Sequence, residues 1–296
     1  MRLVTYNIQY SLGKDGRYDL GRIAETIEGA DIIALQEVER NWRRTGMADQ
    51  ATELAKQFPE HYWVFGPRVD MDASEKAADG RVVNRRKQFG NVLLSRWPIL
   101  SSRNFVLPKF ATLDRYNFEG SALEAVIDVE GDALRVYSIH LGHMIGAERL
   151  KQIELLLDIH RRAPQEGGAW TGPDASDLEH WECEGGPPPM PEEAIFLGDF
   201  NLEPGSAEYE ALVGPWEPDY GRIHVRHRLI DAWAATGHEE TSGVTFPEKA
   251  SDGWKRPVRI DYCFVTPGLV PRLRETRIDN EAQGSDHQPV WVEMAS

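Results

Sequence analysis

The stretch Ile195-Phe196-Leu197-Gly198-Asp199-Phe200-Asn201 constrains this chain more than any other. Its apolar residues predict a short buried strand, Gly198 permits a tight turn, and a carboxylate and an amide follow at alternate positions. Residues i and i+2 of an extended segment point to one side, so Asp199 and Asn201 can face a common pocket. A carboxylate can take a proton or orient water, and an amide can hold an oxygen without adding charge. The same letters also read as a strand closed by an Asx turn. The remainder of the chain decides between the two.

Taken in order, Arg2 to Ile8 reads as a strand ending at Asn7, and Asp19 can cap a helix that carries Leu20, Ile23, Ala24 and Ile27 at helical spacing. Ile32 to Leu35 is a buried strand running into Gln36-Glu37-Val38. Such a βαβ-like opening brings Asn7 and Glu37 to the same strand ends. A helix over 50–58, a strand over 62–65 and a polar, mobile loop over 70–87 follow, then a strand over 90–95. Residues 121–129 and 134–141 form a hairpin turning at Gly131-Asp132. The helix over 148–161 places Leu150, Ile153 and Leu157 on one face. Ser206 caps a short helix, and strands are expected over 229–233 and 258–265. The turn Gly284-Ser285-Asp286-His287 enters the last strand.

Asn7, Glu37, His140, Asp199, Asn201, Asp261, Asp286 and His287 each sit where an apolar strand meets a loop. Each alone has a plain structural explanation. Their repetition at strand ends does not follow from folding, and strand ends are where functional groups gather. Glu37 and Asp286 offer hard oxygen ligands without a cysteine–histidine cluster, which favours Mg²⁺ or Mn²⁺ over structural zinc. Such an ion can polarise a phosphoryl oxygen. Asp261 could hold His287 in one tautomer, and Asp199 could orient or deprotonate the attacking water.

The 296 residues are 41% hydrophobic, enough for a sizeable core, and the net charge of −15 gives no basic footprint for a nucleic-acid backbone. Cys183 and Cys263 are too few for a disulfide framework. The chain opens into Met1-Arg2-Leu3-Val4 without an apolar leader or a bilayer-length span, so a cytoplasmic protein is expected.

The motifs Thr5-Tyr6-Asn7-Ile8, Gln36-Glu37-Val38, Ser138-Ile139-His140-Leu141, Gly198-Asp199-Phe200-Asn201, Arg259-Ile260-Asp261-Tyr262 and Ser285-Asp286-His287-Gln288-Pro289-Val290 come in the order of the endonuclease/exonuclease/phosphatase superfamily. The chain resembles a bacterial-type member. The resemblance implies a four-layered α/β/β/α sandwich with two mostly antiparallel sheets, the DNase I-like fold, in one domain spanning 1–296. It implies metal-dependent hydrolysis of a phosphoester. Glu37 looks like the principal metal ligand, supported by Asn7 and Asp286, and Asp199 like the residue that handles the water. Asn201 and His287 resemble the groups that hold the phosphate, with Asp261 orienting His287, and His140 resembles a group contacting the phosphate or leaving group. Gln9 stands where abasic-site endonucleases carry an aspartate, a departure that weakens that branch.

A small-molecule or lipid-headgroup phosphodiester is the favoured substrate, with single-stranded nucleic acid the alternative. Arginine clusters at 40–44, 81–87 and 222–228 would bind a charged headgroup if they ring the pocket, and are otherwise solvated loops. Residues 163–194 exceed an ordinary connection several-fold. With their proline run and Trp170 and Trp181, they are expected to be an insertion anchored near the pocket and folded over its rim.

Overall fold

The computed structural model describes residues 1–172, 186–247 and 256–295. The first half of the chain runs β1 (Arg2–Asn7), α1 (Leu20–Thr26), β2 (Ile32–Arg40), α2 (Gln50–Gln57), β3 (Tyr62–Asp72), β4 (Glu75–Lys76), β5 (Val82–Val83) and β6 (Arg86–Ser95). It continues through β7 (Ile99–Leu107), β8 (Gly120–Val129), β9 (Asp132–His140), α3 (Gly146–Glu166), β10 (Ala194–Asp199) and α4 (Ala207–Val213). The hairpin β11 (Trp216–Glu217) and β12 (Gly221–Arg222) precedes β13 (Ile230–Asp231), α5 (Ala232–Ala235), β14 (Asp261–Val265), β15 (Leu273–Ile278) and β16 (Val290–Met294).

Two six-stranded sheets result, ordered β15-β16-β1-β2-β6-β3 and β13-β14-β10-β9-β8-β7. Each is antiparallel except for one central pair: β1 lies parallel to β2, and β9 parallel to β10. A parallel pair requires a crossover, and α1 and α3 supply the two. The apolar residues sort into three slabs. Leu3, Ile32, Leu93, Leu123, Ile195 and Val265 fill the space between the sheets. Ile23, Ile27, Ala51 and Leu54 of α1 and α2 cover the outer face of the first sheet, and Ile153, Leu156, Tyr209 and Leu212 of α3 and α4 cover that of the second. Those three slabs define the four layers α/β/β/α. No described helix is long and apolar enough to cross a membrane.

The parallel pairs position the chemistry. Asn7 ends β1 and pairs with Gln36, while His140 ends β9 and pairs with Asp199 at the end of β10. The sheets are pinned together at this edge by buried polar bonds: Gln36 Nε2 donates to Ser138 Oγ at 3.0 Å, and Asn91 Nδ2 donates to the Ser138 carbonyl at 2.8 Å. Gly198 does not make the turn expected of it. It lies inside β10, where a Cβ would come within 2.0 Å of the Ile139 carbonyl oxygen. Its role is the close approach of β9.

Other expectations need correction. The loop expected over 70–87 is the end of β3, the β4–β5 hairpin and the start of β6, an extension that leaves even Met71, Val82 and Val83 exposed. Strands β7 and β15 went unread, and the strand expected over 229–233 shortens to Ile230–Asp231. There Asp231 accepts from Trp233 N and caps α5. The last-but-two strand begins at Asp261, and Val258 instead bridges to Phe246. Helix α3 buries Arg149, Gln152, Ile153, Leu156 and Ile159 and leaves Leu150 exposed. Two of its inward polar residues bond to the loop ahead of it: Gln152 Oε1 accepts from Gly142 N at 2.8 Å, and Arg149 Nη1 donates to the Gly142 carbonyl at 3.0 Å.

Helix α3 also continues through Pro164 to Glu166, so the expected insertion starts later than residue 163. Trp181 and Cys183 lie outside the described residues. The segment rejoins the sheet at Ala194, which pairs with Arg135, whereas Asp199 pairs with His140. At the usual rise per strand residue this is about 16 Å from the site. Arg135 donates to the Glu192 carbonyl at 3.1 Å and meets Met190 Sδ at 3.5 Å. The described flank leading into β10 is therefore held away from the pocket, contrary to the expectation of anchorage beside it.

Candidate active site

Where the carboxyl ends of the two parallel pairs meet, a cavity of about 370 Å³ opens. Glu37, His140, Asp199, Asn201, Asp286 and His287 line it. Asn7 and Asp261 are buried just behind them. All eight polar residues singled out in the sequence thus come together.

Several are held in uncommon backbone conformations. Glu37 has φ 61° and Asn201 φ 52°, the left-handed region that costs a non-glycine residue energy unless its surroundings enforce it. Glu37 sits where the pairing of β2 with β6 slips between Leu35 and Val38. Such a bulge re-aims a side chain, and here it turns Glu37 into the cavity. Gln9, Tyr10 and Ser11 form a run at φ 42°, 44° and 66°. Gln50 secures that run by donating to the Tyr10 carbonyl at 2.8 Å and to Ser11 Oγ at 3.1 Å. It delivers Gln9 and Tyr10 to the cavity wall. Asp199 Oδ1 accepts from Asn201 N at 2.9 Å, so the Asx turn exists and serves the site.

Hydrogen bonds chain the polar groups. Asn7 Nδ2 donates to Asp199 Oδ2 at 3.0 Å and lies 3.3 Å from Glu37 Oε1, while Asn7 Oδ1 accepts from Gln9 N at 3.1 Å. Asp286 accepts from Gln9 Nε2 at 2.8 Å and from Ser285 Oγ at 3.2 Å. His287 Nδ1 lies 2.8 Å from Asp261 Oδ2, and its Nε2 lies 3.9 Å from Asp199 Oδ2. His140 Nε2 lies 3.4 Å from the same oxygen and 4.0 Å from Glu37 Oε1.

Burial and neighbouring charge set the protonation. Loss of solvent raises the Asp199 carboxyl, and Asp261 adds to the rise against His287 and the Asn7 hydrogen bond. Burial alone would lower His287, but the charge and hydrogen bond of Asp261, with Asp199 and Asp286, hold it well above its ordinary value. His140 is driven well below its ordinary value by burial and by Arg68 and His287, and stays neutral. Two histidines of opposite protonation therefore flank one carboxylate.

Two groups of side chains bear on a cation. Asp199, Asp261 and His287 offer ligand atoms all within 4.8 Å of one another, but the His287–Asp261 hydrogen bond accounts for that closeness. Glu37 and Asp286 present oxygens to the cavity, and among the described residues no lysine or arginine ion-pairs with either. Loss of solvent raises the Glu37 carboxyl, with Arg68 pulling it down and Asp286 pushing it up. A partly compensated all-oxygen pair of this kind fits a hard divalent ion.

The sequence reading missed the cavity's other wall. Tyr10, Trp42, Phe89, Tyr116, Phe118 and Phe246 line it, together with Arg44 and Arg68. Tyr116 and Phe118 come from the segment ahead of β8, with ring centroids 5.1 Å apart. Of the three arginine clusters, only Arg44 reaches the cavity. It ion-pairs with buried Glu39 and lies 3.7 Å over the Tyr10 ring. Arg40, Arg81 and Arg86 are spent on Asp49, Asp79 and Asp70, and Arg222 on Glu240. Arg68 belongs to no cluster. A lone arginine behind Gly66-Pro67 carries no sequence signal of its own.

A model of the endonuclease/exonuclease/phosphatase family matches residues 4–287. No curated protein sequence matches the chain. Among solved structures, a Bacteroides vulgatus endonuclease/exonuclease/phosphatase superposes with a TM-score of 0.66 at 20% identity, covering 99% of this chain and 98% of that one. The mannosyl-6-phosphatase Bt3783 of Bacteroides thetaiotaomicron gives 0.62 at 17% identity, with 100% of both chains covered. TDP2 of D. rerio, complexed with a single-strand DNA product, gives 0.59 at 16% identity over 100% of this chain and 99% of that one.

Proposed function

The chain belongs to the endonuclease/exonuclease/phosphatase family, a class of phosphoester hydrolases, and we propose that it is a phosphodiesterase acting on a small molecule or lipid headgroup with Mg²⁺ or Mn²⁺. The observation that carries this reading is the meeting, in one cavity of about 370 Å³, of the buried Asp199 carboxylate with His140 and His287, whose Nε2 atoms lie 3.4 and 3.9 Å from its Oδ2. Glu37 and Asp286 would hold the ion, and Asn7 supports Glu37 through its amide. When bound, the ion supplies electrostatic stabilisation of charge on a phosphoryl oxygen. Asp199 takes the proton of the attacking water. The water oxygen bonds to phosphorus as the leaving group departs with the electron pair of its P–O bond. Burial, by raising Asp199, makes it a better base near neutral pH. Protonated His287, oriented by Asp261, donates from Nε2 to the phosphate, and Asn201 donates beside it. Neutral His140 contacts the phosphate or the leaving oxygen.

The aromatic wall gives one specific reason to keep a second reading, cleavage of single-stranded nucleic acid, since bases stack on such surfaces. The solved relatives, one a mannosyl-6-phosphatase and one complexed with a single-strand DNA product, point to both substrate kinds without choosing. A net charge of −15 opposes a polyanion. The test is a metal-supplemented panel of bis-p-nitrophenyl phosphate, p-nitrophenyl phosphate, phosphocholine esters, plasmid and oligonucleotide. The small diesters should be turned over best and plasmid poorly. Asp199→Asn should lose about 10²–10⁴-fold, and chelator should stop turnover without unfolding the protein. Full activity in chelator, or faster cleavage of plasmid than of the diesters, would overturn the assignment.

A further inference from the structure

Arg68 is only 7% exposed, yet it lines the cavity. Its Nε has no hydrogen-bond partner, and Nη1 makes one long bond, 3.4 Å to the Glu119 carbonyl. Among the described residues no carboxylate lies within ion-pairing distance of it. A buried guanidinium with unused donors is costly, so its placement needs a reason. The fold enforces that placement. Pairing of β3 with β6 slips between Pro67 and Val69, which makes Arg68 the extra residue of a bulge. The bulge that turns Glu37 inward faces the same stretch of β6 from the other side. Between them lies Gly90, where a Cβ would fall 2.1 Å from the Gly66 carbonyl oxygen. The central guanidinium carbon then lies 4.8 Å from the Phe89 ring centroid and 5.7 Å from that of Phe118.

The geometry points to Arg68 as an anion-binding residue of the cavity, its fork of N–H groups taking the non-ester oxygens of the substrate phosphate. The inference rests on the phosphoester reading. Arg44 also lines the cavity, but its charge is spent on Glu39. Arg68 is thus the arginine of the cavity wall that has no ion-pair partner among the described residues. Planar, two-pronged donation of this kind is what arginine offers a phosphate and lysine does not.

The test is calorimetric binding of inorganic phosphate and of dimethyl phosphate to the full chain in chelator, so that the signal belongs to the side chains. Arg68→Met keeps the bulk against Phe89 and Phe118 and removes every donor. It should melt like the wild type and bind both anions about 10- to 100-fold more weakly. Arg68→Lys should recover part of that affinity. Glu37→Gln should bind the anions at least as tightly as wild type, which separates direct contact from an effect through Glu37. Unchanged anion affinity in Arg68→Met overturns the proposal. So does failure of both Arg68 variants to fold, since the residue would then serve the fold. Because binding is read without turnover, the assay still speaks to Arg68 if no ester in the panel proves to be a substrate.

Discussion

At the scale of single residues, the site is a set of conformations that the surrounding fold compels. Glu37 is an acidic residue, partly desolvated, on left-handed backbone. Each condition opposes stability, and strain of this sort amounts to about 1–3 kcal/mol. Glu37→Gly should therefore unfold at higher urea concentration than the wild type when both are measured in chelator, while losing metal-dependent turnover. A variant less stable than wild type would show that Glu37 is not strained. The contributing residues were legible in the sequence because each polar letter interrupts an apolar strand. Arg68, Tyr10 and Phe118 were not, since nothing local distinguishes a residue aimed by a bulge or a strained turn from one left in solvent.

Elements were legible where an apolar period was long and both faces were covered, as in β1, β2 and β10. They were missed where one face is bare: β7 alternates between half-buried and exposed positions, and the ends of β3 and β6 extend past the core. In α3 the apolar letters placed Ile153 and Leu157 rightly against the core but included Leu150, which is exposed, and omitted buried Arg149 and Gln152, which are matched to loop backbone. The same helix holds His160, whose Nδ1 lies 2.7 Å from Arg135 Nη2. Burial, with help from Arg135, lowers its pKa to about 3. Arg135 can only donate, so His160 must accept as the neutral ring. Its contribution is whole above the unfolded value of about 6.5 and is lost as pH falls through the folded value, because the unfolded chain gains a proton that the folded one refuses. Between pH 6 and 4 the wild type should lose up to about 1.4 kcal/mol per pH unit from this group. His160→Gln, which keeps an acceptor for Arg135, should flatten that slope in urea titrations. Equal slopes would remove His160 from the acid sensitivity of the fold.

At the scale of the whole molecule, each sheet contributes a parallel pair, and their shared carboxyl edge is where the chemistry lies. The opposite edge receives the segment that rejoins β10 at Ala194, with Arg135 and Met190 securing the junction. Replacing residues 170–187 with a short Gly/Ser linker should therefore leave kcat and KM unchanged for small and large substrates alike, as well as the melting temperature. A changed substrate profile would restore a role at the cavity mouth. If the profile holds, this junction is a handle. A dye, an affinity tag or a surface tether spliced there would leave the cavity's entrance facing solution, so turnover of single immobilised molecules could be watched without the attachment standing in the substrate's path.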